Sequence, residues 1–549
     1  MTVDRLLLAS LSAVFVSHGG AHGTPPPQAA QLITAEGLAA HIQVLASDEF
    51  EGRAPATPGE ERTVTYLRDQ FASLGLQPGN HGDWFQTVPL VKITPDPATR
   101  LHITGGAEPF ELASSQDVVV WNRRITEWVS LTRSELVFVG YGVSAPELGW
   151  DDFKGLDVRG KTLVVLINDP DYGQESGDFQ GQRMTYYGRY TYKFEEAMRR
   201  GAAGMLIVHE DGPAGYPWGV ILGSWARTRL DIPPAPGSPE RLALEAWITR
   251  DAAGRLFSAA GQDFATLKEQ ARREDFQPVS LGLKASTQMY HSLATSQSRN
   301  VLGLLPGRQR PEEVVIYMAH WDGLGKNDSL PGDKIFNGAV DNATGTAALL
   351  ELAKAFTAMN PAPKRSVLFL ATTAEESGFW GSWYYTEHPV FPLAQTVAGI
   401  NFDILNVNGP TRDVVVVGRG ASELEDYLED AAWGEQRYLT EEDAPEQGFF
   451  YRSDHISFAK VGVPVMYTKS GVDLVDGGIA AGQAAVQRYT QNDYHKVSDE
   501  FRADWDLTGM AQDVRLFFEV GRRLADSHEW PNWREGNEFR PIRDASCGE

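Results

Sequence analysis

Three apolar stretches decide the fold class of this chain: EVVIYMAH at residues 313–320, SVLFLATT at 366–373 and AGINFDI at 398–404. Each is short, apolar and bounded by polar or turn-forming residues, which is typical of a strand buried on both faces. Segments with helical periodicity separate them, including TGTAALLELAKAFTAM at residues 344–359. Strands that alternate with helices predict an α/β domain.

Further regions lie on both sides of these strands. Residues 33–76 predict two helices, the second with Thr57 at its N-cap and Pro58 at its first position. From about residue 131 to residue 287, short β-branched runs, a helix and a further strand indicate a compact module inserted into the chain. We expect the polar and aromatic C-terminal segment HEWPNWREGNEFRP to pack on the surface.

The composition excludes several classes of function. The chain has 549 residues, 42% of them hydrophobic, and a formal net charge of −24. This apolar content supports buried cores, and the acidic surface disfavours nucleic acid and anionic membranes as partners. No apolar run approaches the ~20 residues that span a bilayer. Cys547 is the single cysteine, so His, Asp and Glu must supply the ligands of any metal site within the chain.

Residues 1–23 have the pattern of a secretory signal peptide. Arg5 gives a basic start, an apolar stretch follows, and Ala21 and Gly23 place small residues at −3 and −1 of a cut before Thr24. A buried helix is the alternative interpretation. On the signal-peptide interpretation, we expect a mature protein that is periplasmic or secreted.

Potential metal ligands follow the predicted strands. Functional groups of open α/β sheets collect beyond the carboxyl ends of the strands. A lone His there is more often structural, paired Glu is usually solvated, and an Asp before a helix is by default an N-cap. Acids that close several apolar strands are a stronger signal, because a buried unpaired carboxylate is costly. The residues at these segment ends are His320, Asp322, Asp341, Glu375, Glu376, Asp403 and His495.

These side chains suit a zinc site, with manganese or cobalt as other occupants. Two imidazoles and three carboxylates suffice for two ions if one carboxylate bridges them at a spacing of ~3.5–4 Å. Glu375 and Glu376 are adjacent on an extended segment and therefore point in opposite directions. One of them can bind metal while the other acts as general base.

At these residues the sequence resembles the co-catalytic di-zinc aminopeptidases of metallopeptidase family twenty-eight. This family includes bacterial leucyl aminopeptidases, glutamate carboxypeptidase II and the inactive transferrin receptor. The resemblance implies an α/β fold whose mixed central sheet is sandwiched by helices. The matching segments occur in the family's order between about residues 300 and 526: MAHWDGLG, NGAVDNATGTAALLELA, FLATTAEESGFWGS, NFDI and DYHKVSDE.

The resemblance implies two Zn²⁺ per chain and a role for each site residue. The implied ligands are His320 and Asp403 for one ion, Glu376 and His495 for the other, and Asp341, before a cis peptide to Asn342, as the bridge between them.

Other residues have implied roles beside the metal. Glu375 would be the general base, and Asp322 would orient the imidazole of His320. Tyr451, in the loop PEQGFFYRSDH, is our candidate to stabilise the oxyanion. His455 in that loop is interpreted as a structural or pocket residue, with a metal role as the alternative. Gly323 departs from bacterial members that often have a histidine there, although that position is not a metal ligand.

The inserted module has a resemblance of its own. ELVFVGYGVSAPELGWDDFKGLDVRGKTLVVLINDP and KFEEAMRRGAAGMLIVH resemble the protease-associated domain, a β-rich α/β module of larger family members. The division implied for the chain is a signal peptide at 1–23, an N-terminal part of the catalytic domain at 24–130, the protease-associated insertion at 131–287 and the catalytic zinc peptidase domain at 288–549.

The expected function is hydrolysis of N-terminal residues from peptides with a free N-terminus. The first alternative is a carboxypeptidase of the glutamate carboxypeptidase type, in which Arg452 could hold the substrate's α-carboxylate. The second is an inactive receptor or binding protein on the same fold, which the intact set of ligands disfavours. A serine hydrolase is a weaker alternative, because the chain has no G-x-S-x-G segment. The preferred side chain, the role of the module and the oligomeric state stay open.

Overall fold

The computed structural model describes residues 28–96, 99–225, 228–235 and 237–547. The predicted signal peptide at residues 1–23 lies outside these ranges. Among the helices of the described ranges, none combines the length and the hydropathy needed to cross a membrane.

A mixed sheet forms the centre of the larger unit. Its middle strand, Arg310–His320, runs parallel to both of its neighbours, Arg365–Thr372 and Thr396–Phe402, which confirms the three strands predicted from the sequence. Beyond Thr396–Phe402 the sheet continues through Val465–Ser470, Asp413–Val416 and Tyr438–Glu441. Beyond Arg365–Thr372 it continues through Val279–Leu305, with Gln77–Pro78 and Phe85–Pro95 paired to it, and ends at Arg229–Asp231.

Alternate residues of the middle strand face opposite helical layers. Val315 and Tyr317 belong to one apolar core, and Ile316 and Met318 belong to another on the opposite face. Burial on both faces explains why this strand is a continuous apolar run, and the predicted central sheet between helices is confirmed. The helices of the first layer are Ala35–Leu45, Pro58–Ser73, Thr344–Thr357, Leu424–Gly434 and Thr508–Asp526, and those on the second side are Trp380–Glu387, His455–Ala459 and Arg540–Cys547.

A second, smaller sheet has its own apolar cores. Its strands, in spatial order, are Phe110–Leu112, Leu101–Thr104, the first half of Val279–Leu305, Trp128–Phe138, Thr162–Leu166, Gly204–His209, Leu244–Thr249 and Val118–Trp121. Its helices are Tyr190–Arg199, Asp211–Ala214, Trp218–Trp225, Arg250–Ala259 and Phe264–Gln270.

One strand connects the two sheets. Residues 279–290 of Val279–Leu305 pair with Trp128–Phe138, and residues 291–301 pair with Phe85–Pro95. The strand Arg229–Asp231 also crosses over, because it lies between segments of the smaller unit and yet pairs with the central sheet. The two units are therefore joined through shared strands.

Short elements complete the chain. Two-stranded ribbons pair Ser144–Ala145 with Trp150–Asp151 and Gly325–Lys326 with Ile335–Phe336. A helix at Gly478–Asn492 precedes His495. Short helical turns are found at Gln28–Leu32, Asp48–Arg53, Pro146–Leu148, Tyr186–Gly188, Ala339–Ala343, Leu393–Gln395, Pro445–Gln447 and Phe449–Tyr451.

One local expectation is confirmed and another needs correction. Thr57 is at the N-cap and Pro58 begins the helix as predicted, with the Thr57 hydroxyl donating to the carbonyl of Ala54 and not capping the helix. The C-terminal segment does not lie wholly on the surface: Trp533 is fully buried, and its indole donates to the carbonyl of Gly462 at 3.0 Å. An apolar ring with a satisfied N–H gains by burial, and composition alone does not reveal this.

Candidate metal centre

The central strands bring their carboxyl ends to one edge of the sheet. His320 is the last residue of its strand and lies level with Thr372 of the neighbouring strand. On the other side Ala319 lies level with Phe402, so that Asp403 follows directly at the same edge. Glu375 and Glu376 come shortly after Thr372. The parallel register therefore gathers side chains from three separate segments.

Two groups of potential ligands meet at Asp341. His320 Nε2 lies 3.3 Å from Asp341 Oδ1 and 3.5 Å from Asp403 Oδ1. His495 Nε2 lies 3.2 Å from Asp341 Oδ2 and 3.3 Å from Glu376 Oε2. The two oxygens of Asp341 thus face two different imidazoles, and this carboxylate belongs to both groups.

The segment around Asp341 is tied to the strand that precedes Asp403. The peptide bond between Asp341 and Asn342 is cis. The Asn342 amide donates to the carbonyl of Phe402 at 2.9 Å and accepts from the N–H of Gly345 at 2.9 Å. These bonds place the start of the helix Thr344–Thr357 against the end of the strand Thr396–Phe402.

Hydrogen bonding leaves one nitrogen of His320 available to a metal. Its Nδ1 lies 3.1 Å from the carbonyl oxygen of Asp322, which can only accept, so that Nδ1 carries the proton. Nε2 is buried, has no hydrogen-bond partner among the described residues, and faces the acids. Burial alone would lower the pKa of His320, but the facing acids raise it well above its ordinary value, so that a metal at Nε2 would replace a proton there. The neutral imidazole, with its other N–H held, is the form that binds metal.

Asp322 connects two of the ligand segments. Its carboxylate lies 3.8 Å from His320 Nδ1 and accepts the backbone N–H of Glu375 at 3.1 Å. Burial raises the pKa of this fully buried carboxyl to about 8. The contact to the imidazole runs through the main chain of Asp322, while its side chain holds the main chain of Glu375.

The centre has more negative charge than its own cations balance. Burial raises the pKa of Glu375 well above its ordinary value, although the attraction of His320 opposes this. Burial alone would lower the pKa of His495, but Glu376 and Asp341 outweigh it and raise the pKa to about 9. A divalent cation would relieve both effects, because it favours the carboxylate and the neutral imidazole. The donor atoms, the Nε2 of His320 that faces the acids, and the excess of negative charge therefore fit zinc.

Comparison with known proteins agrees with this geometry. Residues 300–518 match the model of the family described as Peptidase family M28. This part of the chain is therefore similar to a peptidase domain of family M28. An aminopeptidase from Aneurinibacillus sp. strain AM-1 has the same fold, with a TM-score of 0.50 and 18% identity over 92% of this chain and 97% of that chain.

Curated relatives match only part of this chain. Aminopeptidase NAALADL1 of Rattus norvegicus is 34% identical over 128 residues, which are 22% of this chain and 16% of that protein. The Glutamate carboxypeptidase 2 homolog of Caenorhabditis elegans is 31% identical over 134 residues, 23% of this chain and 16% of that protein. The matched segments thus span about a sixth of the length of these relatives.

A large cavity opens onto the candidate metal centre. Its volume is about 1140 Å³, and its wall includes Asp341, Glu375 and His495. The smaller unit supplies part of the facing wall, including Tyr190 and Phe194 of the helix Tyr190–Arg199. Both units therefore contribute to the wall of the cavity in front of the centre.

The three residues singled out in the loop at 445–455 lie apart from the ligand groups. Tyr451 lines the cavity, and its hydroxyl donates to Glu538 Oε1 at 2.8 Å. Arg452 also lines the cavity and donates to the carbonyl of Gln447 at 2.6 Å. His455 is fully buried, its ring contacts the carbonyl of Phe450, and burial lowers its pKa to about 3. His455 belongs to neither ligand group.

Two residues without a predicted role contact the segment that carries Asp341. Asp499 accepts the backbone N–H of Val340 at 3.0 Å and of Asp341 at 3.1 Å. Arg53 is buried, and its guanidinium donates to Gly338. Both lie in segments that the sequence analysis noted, but a residue that acts through main-chain bonds to a distant loop leaves no local signal.

Proposed function

We propose that this chain is a zinc-dependent aminopeptidase that removes N-terminal residues from peptides. The observation that supports the proposal most is the shared carboxylate of Asp341, which joins two groups of ligands on opposite sides. One Zn²⁺ would be held by His320, Asp341 and Asp403, and a second by Asp341, Glu376 and His495. Two such ions, when bound, activate a water molecule and polarise the scissile carbonyl.

Glu375 is the group that this proposal uses for proton transfer. It belongs to neither ligand group, is 8% exposed, and lines the cavity beside the ligands. Its backbone N–H donates to the carboxylate of Asp322, which ties the main chain of Glu375 to the segment that carries His320. Glu375 takes a proton from the attacking water as the new C–O bond forms. It then gives that proton to the leaving nitrogen as the C–N bond breaks.

The acidic surroundings favour a substrate with a free α-amine. Glu375, Glu376 and Asp403 all border the cavity at the metal centre. An α-ammonium group is attracted to this charge, and only the N-terminal residue of a peptide has one. This preference would limit cleavage to the N-terminal peptide bond, with Tyr451 as the proposed group at the oxyanion once the substrate displaces its bond to Glu538.

The remaining proposals concern the other parts of the chain. We assign the smaller unit to a protease-associated domain. It comprises the insertion expected at 131–287 together with the earlier strands Leu101–Thr104, Phe110–Leu112 and Val118–Trp121, which belong to the same sheet. We assign residues 1–23 to a signal peptide and the mature protein to the periplasm or the medium. N-terminal sequencing of the exported protein tests that assignment, since it should begin at or near Thr24.

A carboxypeptidase is the second candidate, and Arg452 favours it. The guanidinium of Arg452 lies in the cavity wall over the rings of Tyr216 and Phe449. Its Nε has no hydrogen-bond partner among the described residues. Such a group could bind the α-carboxylate of a C-terminal residue.

Paired substrates separate the two candidates and an inactive protein. The aminopeptidase should release the anilide from an aminoacyl anilide with a free α-amine, and it should not act on the N-acetylated form. A carboxypeptidase should instead cleave an N-acetylated dipeptide that ends in glutamate. Chelation should abolish the activity and added Zn²⁺ should restore it. Absence of hydrolysis in all assays by the zinc-loaded protein would leave a binding protein as the remaining interpretation.

A further inference from the structure

Arg53 occupies an unusual place for an arginine. It ends the short turn Asp48–Arg53 between the first two helices and is 1% exposed. All of its hydrogen-bond acceptors are main-chain carbonyls. Burying a guanidinium costs free energy unless most of its N–H groups have hydrogen-bond acceptors. The bonds that Arg53 makes must therefore offset this cost.

The guanidinium of Arg53 joins three segments that are distant in sequence. Nε donates to the carbonyl of Trp321 at 2.9 Å, and Nη2 donates to the carbonyl of Gly338 at 2.8 Å. Nη1 donates to Leu45 at 2.7 Å and to Asn337 at 2.6 Å. Trp321 directly follows His320, and Gly338 lies three residues before Asp341. One planar group thus fixes the distance between the main chains of two ligand-bearing loops.

The backbone around this contact has no space for other side chains. Gly338 has φ 55°, and a Cβ there would lie 2.3 Å from the carbonyl oxygen of Asp341 and 2.9 Å from Arg53 Nη2. Gly52 has φ 66°, and a Cβ there would lie 2.3 Å from the carbonyl oxygen of Gly325. Glycine at both positions lets the chains approach as closely as the guanidinium requires.

The same loop is held from its other side. Arg53 binds the carbonyls of Asn337 and Gly338, while Asp499 accepts the N–H groups of Val340 and Asp341. Asp499 lies on the segment that carries His495. The loop before the helix Thr344–Thr357 is therefore fixed between a buried cation and a buried carboxylate.

We infer that Arg53 is a positioning residue, which sets the spacing of His320 and Asp341 through their main chains and so sets the affinity of the centre for zinc. This inference rests on the proposed metal centre. Preorganised ligands bind a metal more tightly, because the protein loses less conformational entropy and is distorted less when the ion binds. Lysine is a poor substitute, since its donors all lie on one nitrogen and cannot reach carbonyls on several sides.

Arg365 offers a matched control. It is also fully buried, begins the strand Arg365–Thr372 at the end opposite to the metal centre, and donates to the carbonyls of Leu524 and Glu529. Its Nε also pairs with the carboxylate of Glu313, so removing its guanidinium should cost stability through lost main-chain bonds and a lost ion pair. It should leave the ligand spacing unchanged.

Zinc affinity, measured without any assay of hydrolysis, tests the inference. The apoprotein would be titrated with Zn²⁺ in competition with a chromophoric chelator, for the parent and for Arg53→Lys, Arg53→Met and Arg365→Met, and thermal midpoints would be measured for each apoprotein. We expect both Arg53 variants to bind zinc 10- to 100-fold more weakly. Arg365→Met should keep the parental affinity even where its thermal midpoint falls as far.

Specific results would overturn the inference. It is wrong if both Arg53 variants bind zinc within twofold of the parent, or if Arg365→Met weakens zinc binding to the same extent. If Arg53→Met does not fold, Arg53→Lys decides by the same criterion. A parent protein that binds no zinc would refute both this inference and the proposed function. A parent that binds zinc but hydrolyses no peptide would refute the proposed function alone, because the affinity comparison would stand.

Discussion

Asp341 is the residue on which the two ligand groups depend, because each of its oxygens faces a different imidazole. Among the described residues, Asp341 alone belongs to both ligand groups. In the proposed centre it would supply a ligand to each site and hold two cations close together. Asp403, by contrast, contacts only the His320 side of the centre.

Substitution of these two acids should therefore have unequal effects on metal content. We expect Asp341→Ala to retain less than one Zn²⁺ per chain after dialysis against buffer with trace zinc, and Asp403→Ala to retain about one. Elemental analysis of the purified proteins, with the parent alongside, gives the numbers. Equal zinc content in the two variants would contradict the bridging role of Asp341.

Glu375 should affect turnover without affecting zinc. Glu375→Gln keeps the size of the side chain and removes the base, so that kcat should fall by about 10²- to 10⁴-fold. Zinc content should stay at the parental value, since Glu375 belongs to neither ligand group. Steady-state kinetics on an aminoacyl anilide, together with metal analysis, provide the measurement. Near-parental turnover in this variant would refute the assignment.

At the scale of elements, the helix Thr508–Asp526 packs tightly on the central sheet. Gly521 lies where the helix crosses Tyr317, whose hydroxyl donates to the carbonyl of Phe517 at 2.8 Å. A Cβ at Gly521 would lie 1.8 Å from that hydroxyl oxygen. The glycine is therefore required by the close approach of helix and strand.

Two Gly→Ala substitutions inside helices should act in opposite directions. Gly521→Ala should destabilise by about 1–3 kcal/mol, because the buried Tyr317 must move to admit the methyl group. Gly254→Ala lies in the helix Arg250–Ala259, where a Cβ would meet nothing within 4 Å, and it should stabilise that helix by up to about 1 kcal/mol. Thermal unfolding of both variants gives the comparison, and a loss of stability in both would contradict this account.

At the scale of the whole molecule, the two units share strands and enclose one cavity. Lys460 of the larger unit pairs with Glu195 of the helix Tyr190–Arg199 at 2.6 Å, and both line that cavity. The strand Val279–Leu305 passes from one sheet into the other. Substrate access is consequently a property of both units together.

The free energy of unfolding of the whole chain depends on pH in part through His41. Burial, and then the charge of Lys354, lowers the pKa of His41 to about 4, and its ring contacts Tyr66 and Glu351. The unfolded chain binds a proton at His41 below pH 6.5, while the folded chain does so only near pH 4. The contribution of this neutral histidine is thus complete above pH 6.5 and is lost as the pH falls towards 4.

Replacement of His41 should reduce the sensitivity to acid. Between pH 6.5 and 4.5 the parent should lose up to about 1.4 kcal/mol per pH unit through this residue, and His41→Gln should not. Thermal midpoints at pH 7, 6 and 5 for both proteins provide the test. Parallel falls of the two midpoints would show that His41 is not responsible.

The apolar runs determined the fold class from the sequence alone. Residues 313–320, 366–373 and 398–404 are long enough to be strands and apolar on both faces, which only a covered sheet can accommodate. The acids and histidines after them predicted a metal centre, because carboxylates at the ends of buried strands are costly unless they share a bound cation. The order of motifs, through the family resemblance, predicted the individual ligands, and these residues meet in two groups.

Other features depended on the tertiary structure. Arg53 and Asp499 act through bonds to main chain far away in sequence, and a main-chain bond does not restrict the residue type of its partner. Trp533 is buried in a segment of polar composition. The sequence by itself determined which elements form and which residues can bind metal, since local periodicity and side-chain chemistry carry that information. Only the tertiary structure decided the spacing of the ligands and the walls of the cavity, because both depend on contacts between distant segments.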